Sequence, residues 1–243
     1  MSTPLLDITF PSTYFDDGKR IPLPKRMARA TPDMFAAMQS AAAALENRGG
    51  RLFLSDLFRS YGMQLQSHLD WKNKRKKAFS PPPGGSLHEA GRAFDLDLDS
   101  LNIELSEFWV IAREHGLSPI INAPVSGVSE SWHFDCRGSH DLVYRYYKNG
   151  KGNNFDKPYQ AMAASAILSI GVKVDKFNNN QGAAAVQSAL IRLGQDIGNM
   201  DGSIGERSRA GLAALGIPPS TPETMLPALE AQLKTKFPSE FAS

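Results

Sequence analysis

The sequence predicts an α+β protein: a small mixed domain with a short antiparallel sheet, followed by a bundle of helices. Three observations carry this. Short segments of strand-like alternation are interleaved with helical patterns over residues 1–150. A stretch rich in glycine, asparagine and charge, "KNGKGNNFDKPYQ", follows. Beyond it come only alanine- and leucine-rich helical segments. The expected division is a mixed α+β domain over 1–150, a linker over 151–160 and a helical domain over 161–243.

Composition sets the outer bounds. The chain has 243 residues, 42% of them hydrophobic and 21% charged, which is ordinary for a globular protein. A formal net charge of +2 is too weak to imply nucleic acid, though it suits an anionic polymer. One cysteine, Cys136, excludes an internal disulfide and reads as a buried, inert thiol. No apolar run approaches the roughly 18 residues of a membrane span. The first residues carry acids early and prolines among apolar positions, which does not fit a secretory signal. The expectation is a monomer made in the cytoplasm, with any target beyond the membrane reached by another route.

Taken in order, residues 1–30 read as proline-broken and extended. A helix starts at Thr31 as N-cap with Pro32 at its first position, and Gly49 and Gly50 end it. "RLFLSD" reads as a strand, and "LFRSYGMQLQSHLDW" as a turn into a helix. "KNKRKKAFSPPPGG" is a stiff, exposed basic loop suited to an anionic polymer. "GRAFDLDLDS" alternates like a strand, "SEFWVIAREHG" reads as a helix closed by Gly116, and "ESWHFDC" again reads as a strand.

The chemistry concentrates in two of these segments. "HEAGR" is not the two-histidine zinc helix, because Arg92 stands where the second histidine would be and Gly91 is a poor helix interior. On a strand, Asp95, Asp97 and Asp99 share a face and repel unless a divalent cation or Arg92 lies near. "SESWHFDC" adds Glu130, His133 and Asp135. Zinc catalysis needs three ligands, an open position and a base. His88, one of the three aspartates and His133 could be the ligands, with Glu130 as base and Asp135 as a rival ligand or a partner of one. Glu130 and His133, three apart, face opposite ways on a regular strand. The pattern therefore requires either a bulge or a Glu130 placed in the preceding turn. His68, His115 and His140 read as surface or capping histidines.

Ser86-x-His88-x-x-Gly91-x-Ala93-x-Asp95, followed by Glu130-x-Trp132-His133, resembles the zinc peptidases of the D-alanyl-D-alanine carboxypeptidase type. These include the VanY-like enzymes and the L-alanyl-D-glutamate endopeptidases. "SDLFRSYGMQ" resembles a third family segment, with Ser55, Arg59, Ser60 and Gln64 matching and Asp56 in place of the usual glycine. The resemblance implies Zn2+ on His88, Asp95 and His133, Glu130 as catalytic base, and Arg59 as clamp for a substrate carboxylate or a developing oxyanion. It places Ser86, Gln64 and Trp132 at the substrate, with Trp132 chiefly packing beside the metal. Asp97 and Asp99 are left as neighbours.

In the helical region, Val186, Leu190, Leu193 and Gly194, then "DGSIGERSRAGL", resemble the small peptidoglycan-binding domain. Ile204 and Ser208 depart from its usual aromatic and threonine. Together these imply a peptidoglycan peptidase that cuts stem peptides while held on the wall. The expected setting is a phage or prophage endolysin released through a holin. A secreted effector, a cytoplasmic dipeptidase and a wall-binding protein with a degenerate peptidase domain are the alternatives.

Overall fold

A computed structural model describes residues 3–242. The fold is α+β, and the chain forms two compact units. One comprises Leu5–Pro81 with Leu87–Gly138; the other comprises Ser139–Ala242 with Pro82–Ser86 and residues 3–4.

In the first unit, β1 (Leu6–Asp7) pairs with β4 (Arg29–Ala30). A six-stranded sheet is built from β2 (Pro11–Asp16), β3 (Lys19–Pro22), β5 (Leu54–Asp56), β6 (Ala93–Leu96), β7 (Ser118–Pro119) and β8 (His133–Asp135), in the order β3-β2-β5-β6-β8-β7. Helices α1 (Pro32–Glu46), α2 (Tyr61–Lys72) and α3 (Leu105–Glu114) complete the unit. Leu54, Phe94, Leu96 and Phe134 project from the sheet into a core shared with Met34, Met38 and Leu45 of α1 and Phe108 and Ile111 of α3. The opposite sheet face is thereby left to polar residues.

Two expectations change here. Residues 1–30 are not merely extended. β2 and β3 form a hairpin around Asp17 and Gly18, both at positive φ, and this Asp-Gly pair is the local signal for such a turn. The aspartate-rich strand ends at Leu96. Asp97 instead caps a 3-10 turn, Leu98–Leu101, its side chain accepting from the Asp99 amide at 3.3 Å. The three aspartates therefore do not form one pleated row. Arg92 does not neutralise them either. It is fully buried and bound to Asp33 at 2.8 Å and to the Cys136 carbonyl.

The second unit contains α4 (Asp141–Lys148), α5 (Pro158–Ser169), α6 (Gln181–Arg192), α7 (Glu206–Ala214) and α8 (Pro222–Lys236). α4 packs against α5 and α6, so the helical unit begins near Ser139, ahead of the glycine-rich stretch. That stretch is tied down rather than free: Asn154 donates to the Met200 carbonyl at 2.7 Å, and the Asn153 amide donates to Asn199 at 2.8 Å. Glycine and asparagine serve turns here as readily as they serve linkers. The buried Gln187 staples the Asp201–Gly202 turn, its oxygen accepting from both backbone amides at 2.9 and 2.7 Å. Among the described residues no helix is long and apolar enough to cross a membrane.

Candidate metal centre

The sheet register builds the site. Asp56 of β5 lies opposite Asp95 of β6, and Asp95 lies opposite His133 of β8, so the three form a row across adjacent strands. His88 joins from the 3-10 turn Leu87–Ala90, which ends at Gly91 with φ 63. A β-carbon at Gly91 would sit 2.6 Å from Leu5 Cδ1 and 3.2 Å from the Ala30 backbone. Glycine is thus needed both for the conformation and for the space.

One ligand atom each from His88, Asp95 and His133 lies within 4.8 Å of the others, and together they could hold a metal ion. His133 Nδ1 is 2.9 Å from Asp95 Oδ1 and 3.2 Å from His88 Nε2, and His88 Nε2 is 3.3 Å from the same carboxylate oxygen. The outer nitrogens fix which atoms face inward. The Leu57 carbonyl can only accept, so His88 Nδ1 carries a hydrogen at 2.6 Å and Nε2 presents its lone pair. Asp135 Oδ1 accepts from His133 Nε2 at 2.8 Å, which turns Nδ1 inward. Asp135 is therefore an orienting partner of His133, not a ligand.

Three acceptors aimed at one another need a cation among them. Burial works against charge on His133, yet hydrogen bonds to Asp135 and Asp95, and their negative charges, push it up to about 10. Burial would raise the Asp95 carboxyl, but with no metal bound a protonated His88, through its charge and hydrogen bond, and the hydrogen bond and charge of His133 pull it well below the usual carboxylate range. A proton on His133 thus satisfies the cluster when nothing else does. Two imidazoles and a carboxylate also form a donor set that suits zinc.

Glu130 lies in the turn before β8, not on the strand, and its carbonyl accepts from the His133 amide at 3.1 Å. It takes φ 70, a left-handed conformation that costs a residue with a β-carbon about 1–3 kcal/mol. That turn removes the alternation that a regular strand would impose on residues three apart. The Glu130 carboxylate is close enough for its charge to help raise the Arg59 pKa.

Arg59 is buried at 8% exposure, and each of its three guanidinium nitrogens has a side-chain partner. Nε and Nη2 both reach Asp56 Oδ2 at 2.6 Å, Nη2 reaches Asp95 Oδ2 at 3.2 Å, and Nη1 reaches Gln64 Oε1 at 3.3 Å. Burial lowers its pKa, but the Asp56 and Asp95 carboxylates more than offset this and raise it. Gln64 is fully buried, its amide nitrogen held by Ser80 Oγ and the Pro81 carbonyl, so it anchors Arg59 internally. Sequence reasoning missed Asp56, although an acid three residues before a motif arginine is a legible signal. Trp132 is half-buried and lines a groove of about 400 Å³ with Thr13, Ser55, Asp97 and Asp99. Ser86 is buried in the Pro82–Ser86 segment, which clusters with the helical unit. Cys136 is buried, as expected; His115 caps α3, whereas His140 is fully buried.

No family model matches the sequence, and no curated protein does. Among solved structures, the chain is similar to the LdcB LD-carboxypeptidase, described as revealing the molecular basis of peptidoglycan recognition. That similarity has a TM-score of 0.40 and 18% identity over 54% of this chain and 66% of that one. A mutant of the vancomycin resistance D,D-pentapeptidase VanY, from a VanB-type cassette and in complex with Zn(II), is similar with a TM-score of 0.36 and 19% identity. The match covers 50% of this chain and 80% of that one. The chain thus spans just under two thirds of the first structure's length.

Proposed function

We propose that the protein is a zinc-dependent peptidase that hydrolyses the stem peptides of peptidoglycan. The observation that carries this reading is the convergence of His88 Nε2, Asp95 Oδ1 and His133 Nδ1, with the charge of Glu130, a residue in a left-handed turn, felt at the neighbouring Arg59. His88, Asp95 and His133 hold the metal. When bound, zinc supplies Lewis acidity toward the scissile carbonyl and toward water. Glu130 takes the proton from the attacking water and delivers it to the leaving amine. Asp135 and the Leu57 carbonyl keep the two imidazoles turned inward, and Arg59 steadies the second oxygen of Asp95. The choice of peptidoglycan rests on the resemblance of the segments around His88, Glu130 and Arg59, together with the helical unit's own resemblance to a wall-binding module. That unit retains the enzyme on the polymer and raises its local concentration there.

Purified sacculi incubated with the zinc-loaded protein should release fragments whose masses identify the bond cut. A chelator should stop the release and added zinc should restore it. Glu130→Gln should bind zinc yet lose at least about a hundredfold in rate, the scale of a general base. Sacculi left intact at high enzyme and saturating zinc would overturn the proposal.

A further inference from the structure

Building on that peptidase reading, the surroundings of Arg59 bear on which substrates the site accepts. Arg59 is the arginine in contact with Asp95, and its planar fork is the natural group to hold a carboxylate at a substrate's C-terminus. Its fork is already engaged. Nε and Nη2 converge on Asp56 Oδ2 at 2.6 Å, while Nη1 meets a Gln64 side chain that is itself fixed by Ser80 and Pro81. Asp56 is committed in turn, its other oxygen accepting from the Leu57 amide at 2.9 Å. Arg137 faces Asp135 Oδ2 at 3.6 Å. Pulling a buried guanidinium off its carboxylate costs more than one new charge-assisted bond in a wet cleft returns.

We infer that Asp56 is a specificity-determining residue that makes this an endopeptidase site. With Arg59 held between Asp56 and Asp95, a free carboxylate next to the scissile bond gains nothing. Peptides that continue past that bond are then cut as well as those that end there. The glycine common at this position in the resembling peptidases would leave Nε and one face of Nη2 free.

The test uses the zinc-loaded full chain and two synthetic stem peptides ending one residue beyond the bond that the sacculus digest identifies. One carries a free carboxylate and the other a carboxamide. The two kcat/KM values should agree within about threefold, and a preference of tenfold or more for the free acid would overturn the inference. Asp56→Gly should create such a preference, expressed mainly in KM, and unchanged selectivity in that variant would overturn the role of Asp56. Asp56→Asn, which keeps the volume, should move selectivity the same way and serves if the glycine variant does not fold. Cleavage of neither peptide by a protein that binds zinc overturns the peptidase reading itself, and this inference with it.

Discussion

Both units bury histidine, arginine and carboxylate, and they do so with opposite logic. In the helical unit, donors and acceptors alternate. Arg192 donates from Nε to Ser139 Oγ at 2.7 Å and from Nη2 to Glu240 Oε2 at 2.6 Å, and Glu240 Oε1 accepts from the Ser139 amide. His140 Nδ1 meets Ser165 Oγ at 2.8 Å, and that hydroxyl meets Ser188 Oγ at 2.6 Å. A cluster of this kind is complete as it stands. Around Asp95 the inner atoms are three acceptors, and only an added proton or metal ion reconciles them. Burial and residue type are alike in the two places. What marks a candidate site is the direction in which the lone pairs point.

Paired substitutions break this comparison most sharply. Glu240→Ala strands the buried Arg192 and should cost the helical unit about 3–5 kcal/mol in urea unfolding, with zinc affinity unchanged. His88→Ala should do the reverse. It should reduce zinc uptake, measured by competition with a chromophoric chelator, by several orders of magnitude while the unfolding of the helical unit stays in place. If both variants moved both readouts alike, the distinction between structural and ligand-holding clusters would fail.

A smaller effect sharpens the same point. Asp135 touches no shared ligand atom; it acts only through His133 Nε2. Asp135→Asn keeps the shape but alters which nitrogen of His133 is protonated. Zinc affinity should fall about 10–100-fold, the usual cost of losing an orienting partner. An unchanged affinity would mean that the neighbouring strand pairing alone orients the ring.

How much of this was legible in the sequence depends on the range of the cause. α1 was legible from Thr31, Pro32 and the glycines after it because its signals are local. The candidate trio is legible because its spacing resembles a family pattern, and the structure brings the three side chains together. Three features were not. Asp99 left the pleat because Asp97 folded back onto its amide, a choice of a few ångströms that alternation does not encode. α4 joined the helical unit because its tyrosines found partners some fifty residues ahead, as when Tyr146 Oη accepts from the Gly198 amide at 2.7 Å. Arg59 looked like a free clamp until the β5–β6 register brought Asp56 and Asp95 to either side of it.

Those tyrosines give the mildest test, and it concerns the complete kind of cluster. Burial raises the Tyr146 phenol, and its bond to Asp196 adds to this, outweighing the backbone bonds of Ile197 and Gly198, so that it titrates at about 12. Burial raises Tyr147 to about 12 as well, against the Met200 amide, with the charges of Tyr146 and Asp201 contributing. A pKa raised on folding means that the folded state holds the proton more tightly than the unfolded chain, which releases it near 10. The resulting stability is fully present below pH 10 and is lost as pH rises from 10 toward 12. With solvent screening allowed for, the loss should be about 1–2 kcal/mol per phenol. Tyr146→Phe should be less stable than the wild type at pH 8, having lost its bonds to Asp196 and the Ile197–Gly198 amides, yet should show a shallower decline above pH 10. Urea midpoints across that range check it, and parallel declines in the two proteins would remove Tyr146 from the account.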